Sequence, residues 1–177
     1  MRTRDTVASL NQYLSFALAG DEYAVGLLQV REILECGALT RVPGVPPWIR
    51  GVLNLRGSVL PVIDLASKFG LSPTAIARTT CVIVVEVRVG EEPMVMGVMA
   101  DSVNQVLELS ADDIQPPPAF GPRVRIDCIE GMGDCNGKFV VLLNMNRILS
   151  SNELAAATNA AQPEANDLAA LEEITVA

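Results

Sequence analysis

Gly51-Val-Leu-Asn-Leu-Arg-Gly-Ser-Val-Leu-Pro-Val-Ile-Asp-Leu65 decides the fold of this chain, because the stretch occurs twice. Eighty residues later it returns in weaker form as Gly131-Met-Gly-Asp-Cys-Asn-Gly-Lys-Phe-Val-Val-Leu-Leu-Asn-Met145. The ungapped alignment keeps two glycines and the class of the apolar positions, and it places Asp64 on Asn144. A gapped match of residues 15–34 with residues 84–107 gives further support to the repeat. The chain is therefore predicted to fold as two related halves.

Each copy of the repeat has the pattern of a tight β-hairpin that leads into a buried strand. A turn glycine follows a polar residue, and a run of apolar, largely β-branched residues comes next. In the first copy, Asn54 at the opening corner and Gly57 at the closing corner predict a type I turn with Arg56 near its tip. A repeat of eighty residues is too long for a solenoid unit and favours a duplicated small domain. Ordinary alternation of hairpins in an all-β chain is the alternative explanation.

Composition excludes several classes of chemistry. The 177 residues are 50% hydrophobic, which suits a folded domain with a core. The chain has no histidine, which excludes imidazole catalysis and a phosphorylated histidine. The four cysteines form no C-x-x-C pair, so we expect them to act as small hydrophobic side chains in a reducing compartment rather than as zinc ligands. No catalytic residue, metal ligand or cofactor is expected.

Charge and hydropathy bear on partners and location. The formal net charge is −8, and the 13 Lys and Arg residues are scattered, so nucleic-acid binding is not expected. No apolar run approaches the roughly 18 residues of a membrane helix. The start of the chain lacks the apolar core of a signal peptide. These features predict a cytoplasmic protein without direct membrane insertion.

Local patterns predict β-strands joined by short helical turns. Gly26-Leu-Leu-Gln-Val30 predicts one helical turn that leads into a strand, and Asp64 is expected to cap a short helix. Ser110 is expected to cap a one-turn helix in the same way. Strands are expected in segments 12–18, 23–25, 39–42, 80–89, 94–100, 103–109 and 124–130. We expect a disordered leader at 1–11 and an acidic, mobile tail at 156–177.

Asp64 and Asp101 are candidates for a pair of catalytic carboxylates that share a proton. The repeat argues against that role, because it places Asn144 opposite Asp64. Neither aspartate has the Asp-Thr/Ser-Gly loop of the aspartic enzymes. A helix cap is therefore the favoured role for Asp64.

Arg56 and Glu32 are candidates for a docking surface. Arg56 at a turn tip is either a solvated charge or a group that meets a partner carboxylate with two hydrogen bonds. Glu32, between Val30 and Ile33, fits ordinary strand alternation or a mixed apolar and acidic surface. Both interpretations stay open at this point.

Several motifs, in order along the chain, resemble one family. They are Tyr13-Leu-x-Phe-x-Leu18, Glu22-Tyr-Ala-Val25, Val30-x-Glu-Ile33, Thr40-x-Val-Pro43, Gly51-Val-x-Asn-Leu-Arg-Gly57, Pro61-Val-Ile-Asp-Leu65, Gly97-Val-x-x-Asp-x-Val103 and Ile114-x-Pro-Pro-Pro118. With these motifs, residues 12–155 resemble the CheW family of bacterial chemotaxis coupling proteins. The resemblance implies one CheW-like domain over that range.

The resemblance implies a mainly β fold of two SH3-like five-stranded β-barrels packed around a shared core, with short helices and a flexible C-terminal tail. One barrel is expected to take its strands mainly from 24–78 and the other mainly from 80–149. It also implies a non-enzymatic adaptor that couples the cytoplasmic tips of methyl-accepting chemoreceptors to the regulatory domain of the histidine kinase CheA. Such adaptors help control kinase activity in membrane-associated arrays, and their self-association there is left open.

The resemblance further implies two sets of contact residues. A receptor-binding role is expected for Val30, Glu32, Ile33, Arg56, Gly97, Val103 and Val106. A kinase-binding role is expected for Leu39, Thr40, Arg41, Val42 and Gly57. Two alternatives remain: a CheW-like scaffold of another chemosensory pathway, such as surface motility or pilus control, and a duplicated β-barrel enzyme or ligand-binding protein that uses Asp64 and Asp101.

Overall fold

A computed structural model describes residues 11–89, 91–117, 128–149 and 153. Eleven strands make up most of this part of the chain, together with the short α-helix α1 (Leu65–Lys68). The strands are β1 (Asn11–Leu18), β2 (Asp21–Gly26), β3 (Val30–Glu35), β4 (Ile49–Leu55), β5 (Ser58–Ile63), β6 (Cys81–Val89), β7 (Glu92–Ala100), β8 (Ser102–Leu109), β9 (Ile114–Gln115), β10 (Ile129–Cys135) and β11 (Lys138–Leu143). Single 3₁₀ turns occupy Leu27–Gln29, Ala111–Asp113 and Met145–Arg147.

The strands form two sheets, each of which makes one SH3-like barrel. Barrel A is the six-stranded sheet, in the order β8-β1-β2-β11-β10-β9. Barrel B is the five-stranded sheet, in the order β3-β6-β7-β5-β4. The mainly β, two-barrel fold is thus confirmed, with the two-residue β9 as a sixth strand of barrel A.

The two halves of the chain exchange their first hairpins. Strands β1 and β2 join strands of the second half in barrel A, whereas β6 and β7 join strands of the first half in barrel B. The ranges expected for the barrels, 24–78 and 80–149, therefore divide the chain differently from the sheets. Local patterns could not reveal the exchange, because it depends on parallel pairing between distant strands, β5 with β7 and β11 with β2.

The sequence repeat is confirmed in the register of the hairpins. In β4–β5, Gly51 pairs with Val62, and in β10–β11 Gly131 pairs with Leu142, with a β-bulge beside each glycine. A Cβ at Gly51 would lie 2.5 Å from the carbonyl oxygen of Thr40, so a neighbouring strand segment requires glycine there.

The turn of the first hairpin differs from the expected type I, and the second hairpin has the same kind of turn. Strands β4 and β5 leave only Arg56 and Gly57 in the loop, with φ angles of 52° and 87°. Asn136 and Gly137 have φ angles of 55° and 87° in the second hairpin. Two consecutive positive φ values define a type I′ turn, whose twist matches that of the strands. The sequence did not predict this turn, because a non-glycine residue rarely adopts the left-handed backbone conformation with positive φ.

Three clusters of buried side chains hold the barrels together. Leu14 and Phe16 of barrel A pack with Ile83 and Val85 of barrel B in one large cluster, which is the shared core. Smaller clusters fill each barrel, around Leu142 in barrel A and around Val82, Val62 and Met99 in barrel B. Alternate residues of β1 and β6 thus serve the shared core and a barrel interior, as strand geometry requires.

The local predictions have mixed outcomes. The helical turn before β3, the helix after Asp64 and the capping box at Ser110 are confirmed. The strand expected at 39–42 is wrong, because only Thr40 pairs there, as an isolated bridge to Val52. The tail at 156–177, most of segment 124–130 and the leader up to residue 10 lie outside the described residues, whereas Asn11, expected in the leader, begins β1.

Candidate docking surface

Glu32 and Arg56 form a bidentate ion pair at the mouth of barrel B. Arg56 Nη1 donates to Glu32 Oε2 over 2.8 Å, and Arg56 Nη2 donates to Glu32 Oε1 over 3.1 Å. Glu32 lies at a bulge of the edge strand β3, and the type I′ turn presents Arg56 toward it. The hydrogen bonds from Arg56 lower the pKa of Glu32, and those to Glu32 raise the pKa of Arg56. The carboxylate that Arg56 meets with two hydrogen bonds is therefore in the chain itself.

Two apolar side chains flank Glu32 on strand β3. Val30 pairs with Val85 and packs against the shared core, and Ile33 pairs with Ile83. The Ile33 side chain is 44% exposed although its paired neighbour is buried. We refer to Val30, Glu32 and Ile33 as the β3 ridge. It combines exposed apolar area with a fixed pair of charges.

Val103 and Val106 occupy the corresponding places on β8, the edge strand of barrel A. Val103 pairs with Phe16 and packs against the shared core, as Val30 does opposite Val85. Val106 pairs with Leu14 and is 46% exposed. A bulge separates the two pairs, as it does on β3. We refer to Val103, Gln105 and Val106 as the β8 ridge.

Gln105 and Asn136 take the places of Glu32 and Arg56 in barrel A. Gln105 lies at the bulge of β8, where its backbone binds the buried Ser15 hydroxyl: Gln105 N donates to Ser15 Oγ over 3.2 Å. Asn136 lies in the type I′ turn that matches the turn of Arg56. The ungapped repeat aligns Asn136 with Arg56, but the gapped match of residues 15–34 with 84–107 does not fix the register of β3 against β8, so the place of Gln105 follows only from the strand pairing.

Gly97 does not belong to an exposed receptor surface. It is buried, and it pairs with Val62 and Val84 in the middle of barrel B. A Cβ at this position would lie 2.5 Å from Val82 Cγ1. The expected receptor contact is corrected to a packing role, because the strand face that carries Gly97 points into the barrel.

The segment expected to bind the kinase lies along one groove of barrel B. Thr40 N donates to the carbonyl of Val52 over 2.9 Å, and Val52 N donates back over 2.8 Å, which holds the segment against β4. A groove of about 410 Å³ beside it is lined by Gly37, Ala38, Leu39, Arg41, Val42, Val45, Pro46, Pro47, Ile49, Arg50 and Ile76. Gly57 does not line this groove; it lies beside Arg56 in the hairpin turn. The structure thus separates Gly57 from the other four residues.

Asp64 and Asp101 do not form a catalytic pair. Asp64 is fully buried and accepts hydrogen bonds from Arg50 Nη1 at 2.7 Å and from Thr74 N at 3.0 Å. Its second oxygen accepts from the backbone of Ser67, which is the expected helix cap. Asp101 instead accepts from the backbone N of Ala19 at 2.9 Å, at a hairpin of the other barrel. Each carboxylate has separate structural partners, so they share no proton.

The described residues contain no group of His, Cys, Asp or Glu side chains that could hold a metal ion. Within the same part of the chain, no helix has the length and apolar character required to cross a membrane. The two ridges and the groove beside Thr40 are exposed features of this surface. Exposed edge strands can add a partner segment to a sheet, and the fold is that of a protein built of two SH3-like barrels.

Comparison with known proteins names the family. A family model for the CheW-like domain matches residues 12–153, and the chain belongs to this family of chemosensory scaffold proteins. It is 34% identical over 151 residues to the chemotaxis protein CheW of Klebsiella aerogenes, covering 85% of this chain and 89% of that protein. It is 29% identical to the protein FrzA of Myxococcus xanthus, covering 79% of this chain and 86% of that protein.

A solved structure agrees with this assignment. The scaffolding protein TtCheW of Thermoanaerobacter tengcongensis superimposes with a TM-score of 0.72 at 26% identity. The match covers 81% of this chain and 90% of that protein. The two-barrel fold is therefore the fold of a solved CheW scaffold.

Proposed function

We propose that this chain is a non-enzymatic adaptor that couples the cytoplasmic tips of methyl-accepting chemoreceptors to the histidine kinase CheA. It acts in the cytoplasm, is recruited to membrane-associated receptor arrays and helps control kinase activity there. The β3 ridge and Arg56 receive the receptor tip, together with Val103 and Val106. The groove beside Thr40, with Leu39, Arg41 and Val42, receives the regulatory domain of the kinase.

The observation that carries the receptor assignment is the ion pair between Glu32 and Arg56. Arg56 is 74% exposed, so its interaction with Glu32 does little for the fold but fixes the direction in which the guanidinium points. Val30 and Ile33 lie on the same strand as Glu32, so a receptor helix meets apolar area next to oriented charge. Such a contact is modest in area and reversible, as signalling requires.

Separate surfaces for the two partners support a bridging role. The β3 ridge is on one edge strand of barrel B, whereas the Thr40 segment covers β4 at the other edge of that sheet. A receptor and a kinase can therefore occupy the same barrel without competing for one strand. In an array, many weak contacts of this kind add up through avidity.

The test is a charge-swap series on the ion pair, with the whole chain, a receptor cytoplasmic fragment and CheA. Arg56→Glu and Glu32→Arg should each lower receptor binding about tenfold or more and leave kinase binding unchanged. The double variant E32R/R56E restores the intramolecular pair with reversed polarity. If receptor binding returns in the double variant, the pair acts only through the shape of the turn; if it stays low, Arg56 contacts the receptor directly. Equal binding by both single variants would remove the receptor site from this ridge.

A scaffold of another chemosensory pathway is the second candidate, because a relative of similar length carries the different name FrzA. Both candidates use the same fold and the same ridges. Purification of the tagged chain from its own cells, followed by identification of the bound kinase and receptors, separates them.

A further inference from the structure

Glu153, the last residue that the structure describes, is fixed on barrel B. Lys68 Nζ, at the end of α1, donates to Glu153 Oε2, and the same ammonium lies 5.3 Å from the ring centroid of Trp48. The Lys68 side chain is only 6% exposed, so its buried charge depends on these two partners. The chain therefore continues beyond Glu153 from a defined point beside Trp48.

This point adjoins the groove beside Thr40. Trp48 lies in the chain between Pro47 and Ile49, and both of these neighbours line the groove. The contact with Lys68 and the wall of the groove thus share one short stretch of chain. The segment that follows Glu153 starts next to the groove.

The groove itself is positively charged. Among the described residues, two arginines and no acidic residue line it, and the rest of its wall is apolar. Arg41 is exposed, and no carboxylate of the described residues forms an ion pair with it. Arg50 binds Asp64 and the carbonyl of Thr74 through Nη1, at 2.7 and 2.8 Å, and has further N–H donors on its other nitrogens. The groove therefore suits a segment that carries carboxylates together with apolar side chains.

The acidic tail, residues 156–177, has this composition. Leu168 and Leu171 lie between the acidic residues Asp167 and Glu172. Asp167 is fourteen residues beyond Glu153, a stretch that spans up to about 46 Å when it is extended. The tail is thus long enough to reach the groove from its starting point. It has no Lys or Arg, and its four carboxylates belong to Glu164, Asp167, Glu172 and Glu173.

We propose that the acidic tail docks in the groove beside Thr40 of its own chain, with carboxylates at Arg41 and Arg50 and leucines on the apolar wall. A tethered segment acts at an effective concentration on the order of millimolar, so a weak contact is enough to occupy the groove. The consequence of docking rests on the proposed kinase contact. A docked tail competes with the regulatory domain of the kinase, which has to displace it.

The docking is tested in the full chain by NMR of the backbone amides that line the groove. The neutral-tail variant, E164Q/D167N/E172Q/E173Q, removes four charges at nearly constant size. Its groove signals should shift relative to those of the unmodified chain. Salt added to the unmodified chain should move the same signals in the same direction, because salt screens exposed charge pairs.

A matched control removes four exposed carboxylates that do not line the groove, in the variant E91Q/E92Q/E108Q/D112N. It changes the net charge by the same amount and should leave the groove signals in place. Identical groove signals in the unmodified chain and the neutral-tail variant, or an equal shift in the control, would overturn the inference. A difference that disappears on dilution would also overturn it, because the tail would then come from a second copy.

Kinase binding tests the competition. The neutral-tail variant should bind the regulatory domain of CheA about three- to tenfold more tightly than the unmodified chain, because the groove is then open in a larger fraction of the molecules. The control should bind as the unmodified chain does. Equal or weaker kinase binding by the neutral-tail variant would refute the competition. If neither the unmodified chain nor the variants bind the kinase, the proposed function fails, whereas the amide signals still decide whether the tail docks.

Discussion

Ile33 and Val106 lie at equivalent positions of the two barrels, and each is nearly half exposed, at 44% and 46%. Each follows a bulge on an edge strand and pairs with a residue of the shared core, Ile83 or Leu14. The two related halves thus carry apolar ridges of the same geometry, but the polar residues beside these ridges differ. Shape is common to the two ridges, whereas charge distinguishes them.

Truncation of either exposed residue should weaken receptor binding without loss of stability. Ile33→Ser and Val106→Ser should each lower affinity for the receptor fragment several-fold, because they remove exposed apolar area from the ridges. Ile76→Ser is the matched control, since Ile76 is also exposed, at 54%, but lies in the groove beside Thr40. It should lower kinase binding and spare receptor binding. The opposite pattern in paired pull-downs would reverse the two assignments.

Gly97→Ala should destabilise the fold by about 1–3 kcal/mol, because the new methyl group overpacks a well-filled barrel. A Cβ at this position would be 2.5 Å from Val82 Cγ1. Gly37→Ala is the control, because nothing lies within 4 Å of its Cβ position. Urea unfolding followed by circular dichroism measures both. A variant that keeps full stability but loses receptor binding would restore Gly97 to the receptor surface.

Asp64→Asn should lower the free energy of unfolding by about 3 kcal/mol, because it leaves Arg50 without its buried carboxylate partner. Asp64 is fully buried and Arg50 is 26% exposed on its side chain. The substitution should also loosen the loop that Thr74 anchors to Asp64, and with it the groove that Arg50 and Ile76 line. Asp101→Asn lies outside this network of hydrogen bonds and should lower the free energy of unfolding by a smaller amount. Equal destabilisation by both variants in chemical denaturation would remove the special role of Asp64.

The carboxyl of Glu32 should titrate below its ordinary value, because the pKa is lowered by the hydrogen bonds from Arg56. Because the pKa of Glu32 is lower in the folded chain than in the unfolded chain, the ion pair stabilises the fold at pH values above the unfolded-state pKa. This stabilisation is lost as the pH falls through the folded-state pKa of Glu32. Arg56→Ala should raise the pKa of Glu32 back toward its ordinary value. Carbon-13 NMR titration of the Glu32 side chain measures both. No change on removal of Arg56 would mean that the pair does not persist in solution.

The fold was predictable from the sequence where its signals are local or repeated. The glycines at 51 and 131 and the apolar runs after the turns predict matching hairpins, and their registers agree. The exchange of hairpins between halves was not predictable, because it depends on contacts between β5 and β7 and between β11 and β2. The type I′ turn was missed for a different reason: an arginine gives no sequence signal for the positive φ angle that Arg56 adopts.

The candidate site was predictable in part. Glu32 and Arg56 were both expected to contact a receptor, but their mutual ion pair was not expected. It joins an edge strand to a turn that is distant in the sequence, and no spacing rule connects the two. Gly97 was misplaced because a strand pattern does not tell which of two apolar faces lies inside a barrel.

The most direct test of the account is co-sedimentation of CheA with receptor-bearing membrane vesicles. With the unmodified chain present, the kinase should sediment with the vesicles, and without the chain it should remain in the supernatant. Arg56→Glu should leave both this chain and the kinase largely in the supernatant. Sedimentation of the kinase to the same extent with and without the chain would contradict the account.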